Sequence, residues 1–143
     1  MDKFPGVELL NNKDEEIAPA SLEKVELLGF LFGAYWCENC RTFSDTLTEL
    51  YNYINSENLK FQVIYINNDQ NIDTHDRFRQ LMPWLSVKFT DQTLCHELRE
   101  KFEITTMPQL IILKPDGDVI TRNGREDIHS CYDTAFISWG GSP

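Results

Sequence analysis

The sequence predicts an α/β fold, and three features carry that expectation. Residues 30–36 form a short, almost continuously apolar and aromatic-rich block. A helical apolar stripe follows it, and a second apolar run occupies residues 61–66. Strand, helix, strand in this order normally pairs its strands in parallel through a right-handed crossover. At 143 residues the chain has the length of one domain. A chain of this size buries roughly 68–70% of its unfolded surface, so it needs no disulfide scaffold. One domain over residues 1–143 is therefore expected, with a core spanning about 7–125 and a segment 126–143 packed on it or partly frayed.

Each element has its own local signal. Val7-Glu8-Leu9-Leu10 suits a short edge strand, and residues 11–16 read as a turn. The block at 30–36 is too short to cross a membrane and suits a strand buried on both faces. Phe43, Leu47, Leu50, Tyr51 and Ile54 recur at helical spacing on one face, and residues 55–58 break the pattern. The run 61–66 is a second strand, stopped by Asn67-Asn68-Asp69. Residues 73–82 suit a short helix with Phe78, Leu81 and Met82 on one side, ended by Pro83. Asp91 can cap a helix carrying Leu94, Leu98 and Phe102. Residues 109–114 read as a strand, and residues 115–118 as a turn into a hairpin partner at 119–121. Asn123-Gly124 marks another turn. Ile128, Tyr132, Phe136 and Trp139 suggest a helix or a packed strap, with the last residues frayed.

Composition excludes several functions. Hydrophobic residues make up 41% and charged residues 25%, as in ordinary globular chains. A net charge of -10 argues against nucleic acid and against an anionic membrane surface as partners. No apolar run approaches the ~20 residues of a membrane span. The first residues show no secretory signal, so a reducing compartment is expected, cytoplasmic or alternatively nuclear.

Of the four cysteines, Cys37 and Cys40 form a Cys-x-x-Cys between a buried strand and the first turn of an amphipathic helix. Free N–H groups and the helix dipole put partial positive charge there, which favours a thiolate. The thiolate is the attacking species in disulfide exchange. Cys37 is expected as the exposed nucleophile, and Cys40 as the more buried thiol that resolves the mixed disulfide. A zinc site would need two further ligands. Cys95-His96 and His129-x-Cys131 are present, but neither spacing matches a common zinc module. Pro108, in Thr106-Met107-Pro108, reads from the sequence alone as a strand starter.

Together these residues resemble the thioredoxin superfamily, and within it the tryparedoxin and nucleoredoxin branch. The resemblance is carried by Phe32-Gly33-Ala34-Tyr35-Trp36-Cys37-Glu38-Asn39-Cys40-Arg41, by Met82-Pro83-Trp84-Leu85 with Phe89, by residues 102–108 and by the Gly117-Asp118-Val119 hairpin. It implies a central mixed sheet flanked by helices on both faces. It also implies a cis Pro108 beside the cysteines, Met107 and Pro108 positioning a substrate backbone, and Trp36 shaping the surface around the nucleophile. The implied activity is thiol–disulfide oxidoreduction. The Cys37–Cys40 pair is then the redox centre, with no metal, nucleotide or flavin. Protein disulfides, a peroxidase among them, would be substrates of a monomer that draws electrons from a separate reductase or a small dithiol. The alternative is a binding or regulatory module on the same fold.

The chain departs from that pattern in several places. Glu38-Asn39 stands where the branch usually carries Pro-Pro. Asn39 is expected to loosen the first turn, and Glu38 opposes ionisation of the neighbouring thiol. Leu31 occupies the place of the buried aspartate of thioredoxins, and Asn68-Asp69 that of a Trp-Asp. Arg125 resembles an arginine near the tryparedoxin site but reads more readily as a solvated charge. Cys95 is expected in the core, and Cys131 to be exposed. His75, His96 and His129 are expected at the surface, and Trp84 and Trp139 as packing residues.

Overall fold

The computed structural model describes residues 8–143. Its centre is a seven-stranded mixed sheet in the order β2-β1-β5-β4-β3-β6-β7. In chain order the strands are β1 (Leu9–Leu10), β2 (Glu16–Ile17), β3 (Leu27–Gly33), β4 (Phe61–Asn67), β5 (Leu85–Val87), β6 (Gln109–Leu113) and β7 (Val119–Thr121). The helices are α1 (Glu38–Ile54), α2 (Ile72–Arg79), α3 (Gln92–Lys101), α4 (Gly124–Cys131) and α5 (Ala135–Ser138). β3 and β4 run parallel, as the strand–helix–strand order predicts, and β5 runs parallel to β4. β6 pairs antiparallel with β3, and β7 with β6 across a bulge, so the sheet is mixed.

Alternation along the central strands sorts the core into two layers. Leu27, Leu31, Phe61, Val63, Tyr65, Leu110 and Ile112 face Phe43, Leu47, Leu50 and Tyr51 of α1. Leu28, Phe30, Phe32, Ile64, Ile66, Ile111 and Leu113 face Cys95 and Leu98 of α3 together with Phe102. A strand buried on both faces has no polar side to alternate with, which is why β3 reads as a continuous apolar run.

Several boundaries differ from the sequence expectation. The first long strand begins at Leu27, where Leu27 and Leu28 pair with Phe61 and Gln62. It ends at Gly33, so the apolar residues Ala34, Tyr35 and Trp36 belong to the following loop. β1 is internal, because β2 covers its free edge; Val7 lies outside the described residues. α2 stops at Arg79, and Leu81 turns outward at 68% exposure, whereas Phe78 and Met82 are buried. The short strand β5 and a 3-10 turn over Pro19–Lys24 have too little periodicity to be seen in the sequence.

Gly124 starts a helix rather than ending a turn. A Cβ there would sit 2.8 Å from the Leu110 carbonyl oxygen, so only glycine lets α4 approach β6 this closely. The chain bends at Tyr132 (φ 39°) between α4 and α5. Phe136 and Trp139 then fold back on Phe61, each with a ring-centroid distance of 5.9 Å. The terminal residues are held, not frayed: the Ser142 amide and hydroxyl donate to Glu26 at 2.8 and 2.7 Å.

Candidate functional site

Cys37 is the N-cap of α1. Its Sγ accepts the Cys40 amide at 3.2 Å, and its carbonyl accepts the Arg41 amide at 3.2 Å. The sulfur thus satisfies one of the free amides that open the helix. Glu38 and Asn39 both lie inside the formed first turn of α1. Cys37 is partly exposed and Cys40 is buried at 3% exposure; both are free thiols. Burial, followed by the hydrogen bond with Cys37, pushes the Cys40 thiol up to about 12. Arg125 works the other way. It is half-buried, and its charge favours the Cys40 thiolate by the smallest of the effects that act on that group.

Three segments converge on the pair. The Met107–Pro108 peptide is cis, and the Met107 carbonyl oxygen lies 4.0 Å from Cys37 Sγ. Trp36 is 52% exposed, and its indole N–H donates to the Asn68 carbonyl at 3.0 Å. Gly33 passes directly beneath: an added Cβ would meet Cys40 Sγ at 3.2 Å and the Tyr65 ring at 3.9 Å. Cys37, Cys40, Trp36, Met107 and Pro108 are therefore brought together.

The sequence did not reveal what holds the loop carrying Cys37. The buried Asp69 carboxylate accepts the Tyr35 amide at 2.6 Å through one oxygen and the Tyr65 hydroxyl at 2.7 Å through the other. The Asn68 amide donates to the Gly33 carbonyl at 2.9 Å. Residues 68–69 thus clamp residues 33–36, a contact across more than thirty residues of chain that no local pattern encodes.

His75 is buried rather than at the surface, stacked on Tyr65 with ring centroids 6.0 Å apart. It lies within an aromatic cluster with Phe89, which compensates for its polarity only in part: among the described residues its Nε2 has no hydrogen-bond partner. Burial lowers its pKa below the usual 6.5, against the opposing pull of Asp76 and Asp69. A lowered native value means that the unfolded chain takes up the proton first. The contribution to stability is therefore present above 6.5 and lost as pH falls. Urea unfolding from pH 7.5 down to 5 should show this loss, and His75→Phe should flatten it. An identical acid limb in the variant would refute the assignment.

His96 and His129 are exposed, Cys95 is fully buried and Cys131 is exposed, as expected. Trp84 and Trp139 are core residues. Among the described residues no group of three or more metal-binding side chains gathers, and no helix is long and apolar enough to cross a membrane.

Comparison with known proteins places this geometry. A family model described as thioredoxin-like matches residues 25–119. The chain belongs to the thioredoxin-like family. Within it, this thioredoxin-like chain falls in the tryparedoxin/nucleoredoxin branch. It is 33% identical to nucleoredoxin from Homo sapiens over 94% of its own length and 31% of the relative. It is 31% identical to probable nucleoredoxin 2 from Oryza sativa subsp. japonica, over 93% of itself and 34% of the relative. The chain thus spans about a third of the length of these curated relatives. Tryparedoxin I from Crithidia fasciculata superposes with a TM-score of 0.83 at 30% identity, covering 90% of this chain and 89% of that one. Tryparedoxin from Trypanosoma brucei gives 0.85 at 28% identity, covering 96% and 95%. The thioredoxin-like fold and its branch, expected from residues 32–41 and 82–85, are both found.

Proposed function

We propose that the chain reduces or exchanges protein disulfides through Cys37 and Cys40. The observation that carries this reading is a partly exposed Cys37 whose sulfur accepts a free amide of the first turn of α1, with a buried second thiol one turn on. The Cys37 thiolate attacks one sulfur of the substrate disulfide. An S–S bond forms to Cys37, and the substrate's other sulfur leaves as a thiolate that takes up a proton. Cys40 loses its proton and attacks Cys37 Sγ, releasing the second substrate thiol. The substrate gains two electrons, and the protein is left with a Cys37–Cys40 disulfide.

A separate reductase or a small dithiol restores the pair. Tryparedoxin II, similar in fold at a TM-score of 0.84 and 26% identical, has been solved with glutathionylspermidine, which fits a small thiol in that role. Met107 and Pro108 would align the substrate backbone, and Trp36 would cover the exchanging sulfurs. No cofactor beyond the cysteine pair takes part. The physiological substrates are oxidised protein thiols, a peroxidase among them, met by a monomer in the cytoplasm.

Cys40→Ser tests the order of events. It should trap a mixed disulfide on Cys37 that mass spectrometry can identify and dithiothreitol releases. A trapped partner on Cys131 instead, with Cys37 free, would overturn the reading.

A further inference from the structure

We propose that Arg41 and Arg77 form an anion-recognising rim beside the cysteine pair that selects disulfide-bearing peptides with flanking carboxylates. The proposal rests on the oxidoreductase reading above and names its substrate class. The argument begins with charge. The chain carries a net charge of -10, so a free guanidinium has many carboxylates to find. Arg79 pairs with Asp14 and Asp76. Arg99 donates to the Asn67 carbonyl at 2.7 Å, and Arg122 donates to the Phe102 carbonyl. Among the described residues Arg125, half-buried, has no such partner, but its charge acts on Cys40, and Arg41 and Arg77 are left. Both are exposed, and among the described residues neither lies within ion-pair distance of a carboxylate.

The two guanidiniums instead gather on one ring. Arg41 lies 5.3 Å and Arg77 6.0 Å from the centroid of Tyr35. Tyr35 stands two residues before Cys37, its amide pinned by Asp69 and its ring against Phe78 at 6.0 Å. α1 and α2 thus each extend one arginine over the same fixed support. Each guanidinium is held at this ring with its fork unpaired, and a planar guanidinium fork suits a carboxylate. Asp69 pairs with neither: it is buried, and its oxygens are turned inward to Tyr35 and Tyr65. Glu38, exposed in the same turn as Arg41, does not pair with it. The carboxylate must come from the bound chain, held in register with the sulfur that Cys37 attacks.

The test uses two short peptides, each joined to its own copy by a disulfide. One has Asp and Glu on both sides of cysteine, the other Asn and Gln. The reduced full chain is mixed with each, and the second-order rate of its oxidation is followed by Trp fluorescence. The protein should react about fivefold faster with the acidic peptide, the size of effect that exposed charge pairs produce. Arg41→Gln combined with Arg77→Gln should erase or invert that preference, since the remaining surface is strongly acidic. Arg77→Lys should keep part of it, which separates charge from packing. Equal rates for the two peptides with the unaltered protein, or an unchanged ratio in the double variant, would overturn the proposal. Reaction with neither peptide would overturn the oxidoreductase reading along with it.

Discussion

Insulin reduction in dithiothreitol is expected to fall to the uncatalysed background when Cys37 is replaced by serine. The variant isolates chemistry from folding. Serine is among the best helix N-caps, and its oxygen can accept the Cys40 amide that Cys37 Sγ accepts at 3.2 Å. α1 therefore keeps its first turn while losing the atom that attacks. A serine hydroxyl, with no sulfur to form the mixed disulfide and almost no alkoxide at neutral pH, does not open an S–S bond. Circular dichroism and the urea midpoint should stay near those of the parent chain. If the parent and Cys37→Ser reduce insulin equally, turnover does not pass through this sulfur, and the fold serves as a binding module instead.

Phe61→Ala should cost about 3–5 kcal/mol of unfolding free energy, a large share of the ~5–15 kcal/mol of a typical domain. Phe61 is fully buried at the start of β4 and joins three parts of the molecule. Its ring fills the space left by Gly29, where an added Cβ would meet it at 3.0 Å. It also packs against Phe136 and Trp139, both at 5.9 Å. Truncation leaves a cavity on the sheet and removes the surface on which the C-terminal segment lies. Urea unfolding measures the loss, and Phe61→Leu should recover much of it. A loss under about 1 kcal/mol would mean that the segment is held from elsewhere, for instance by the Trp139 indole N–H on Asp127.

What could be read from the sequence follows from the range of each interaction. α1 was legible because its apolar stripe and its cap lie within one stretch of chain. β3 and β4 were legible because burial on both faces removes polar residues from both. Cys37 and Cys40 were legible at the switch from strand to helix, whereas the placement of Trp36, Met107 and Pro108 beside them came from a resemblance, since nothing in residues 30–40 specifies where residues 107–108 lie. The Asp69 clamp was missed because Asn67-Asn68-Asp69 reads locally as a strand stop, and the bonds that matter reach back to Tyr35 and across to Tyr65. His75 was misplaced for a related reason. Its helix has few apolar residues, and only the aromatic rings of Tyr65 and Phe89, from other elements, close over it. Gly124 looked like a turn because the close approach of α4 to Leu110 leaves no trace in neighbouring residues.

The space that a missing methyl leaves at Gly33 sets a limit on how this protein can evolve. A carbon added there would crowd the Cys40 sulfur at 3.2 Å while only touching the Tyr65 ring at 3.9 Å. Drift at this position would press first on the Cys40 side chain. Glu38 and Asn39, whose side chains face water, leave room for change between the two cysteines, whereas at Gly33 any added carbon must be absorbed by the Cys40 side chain.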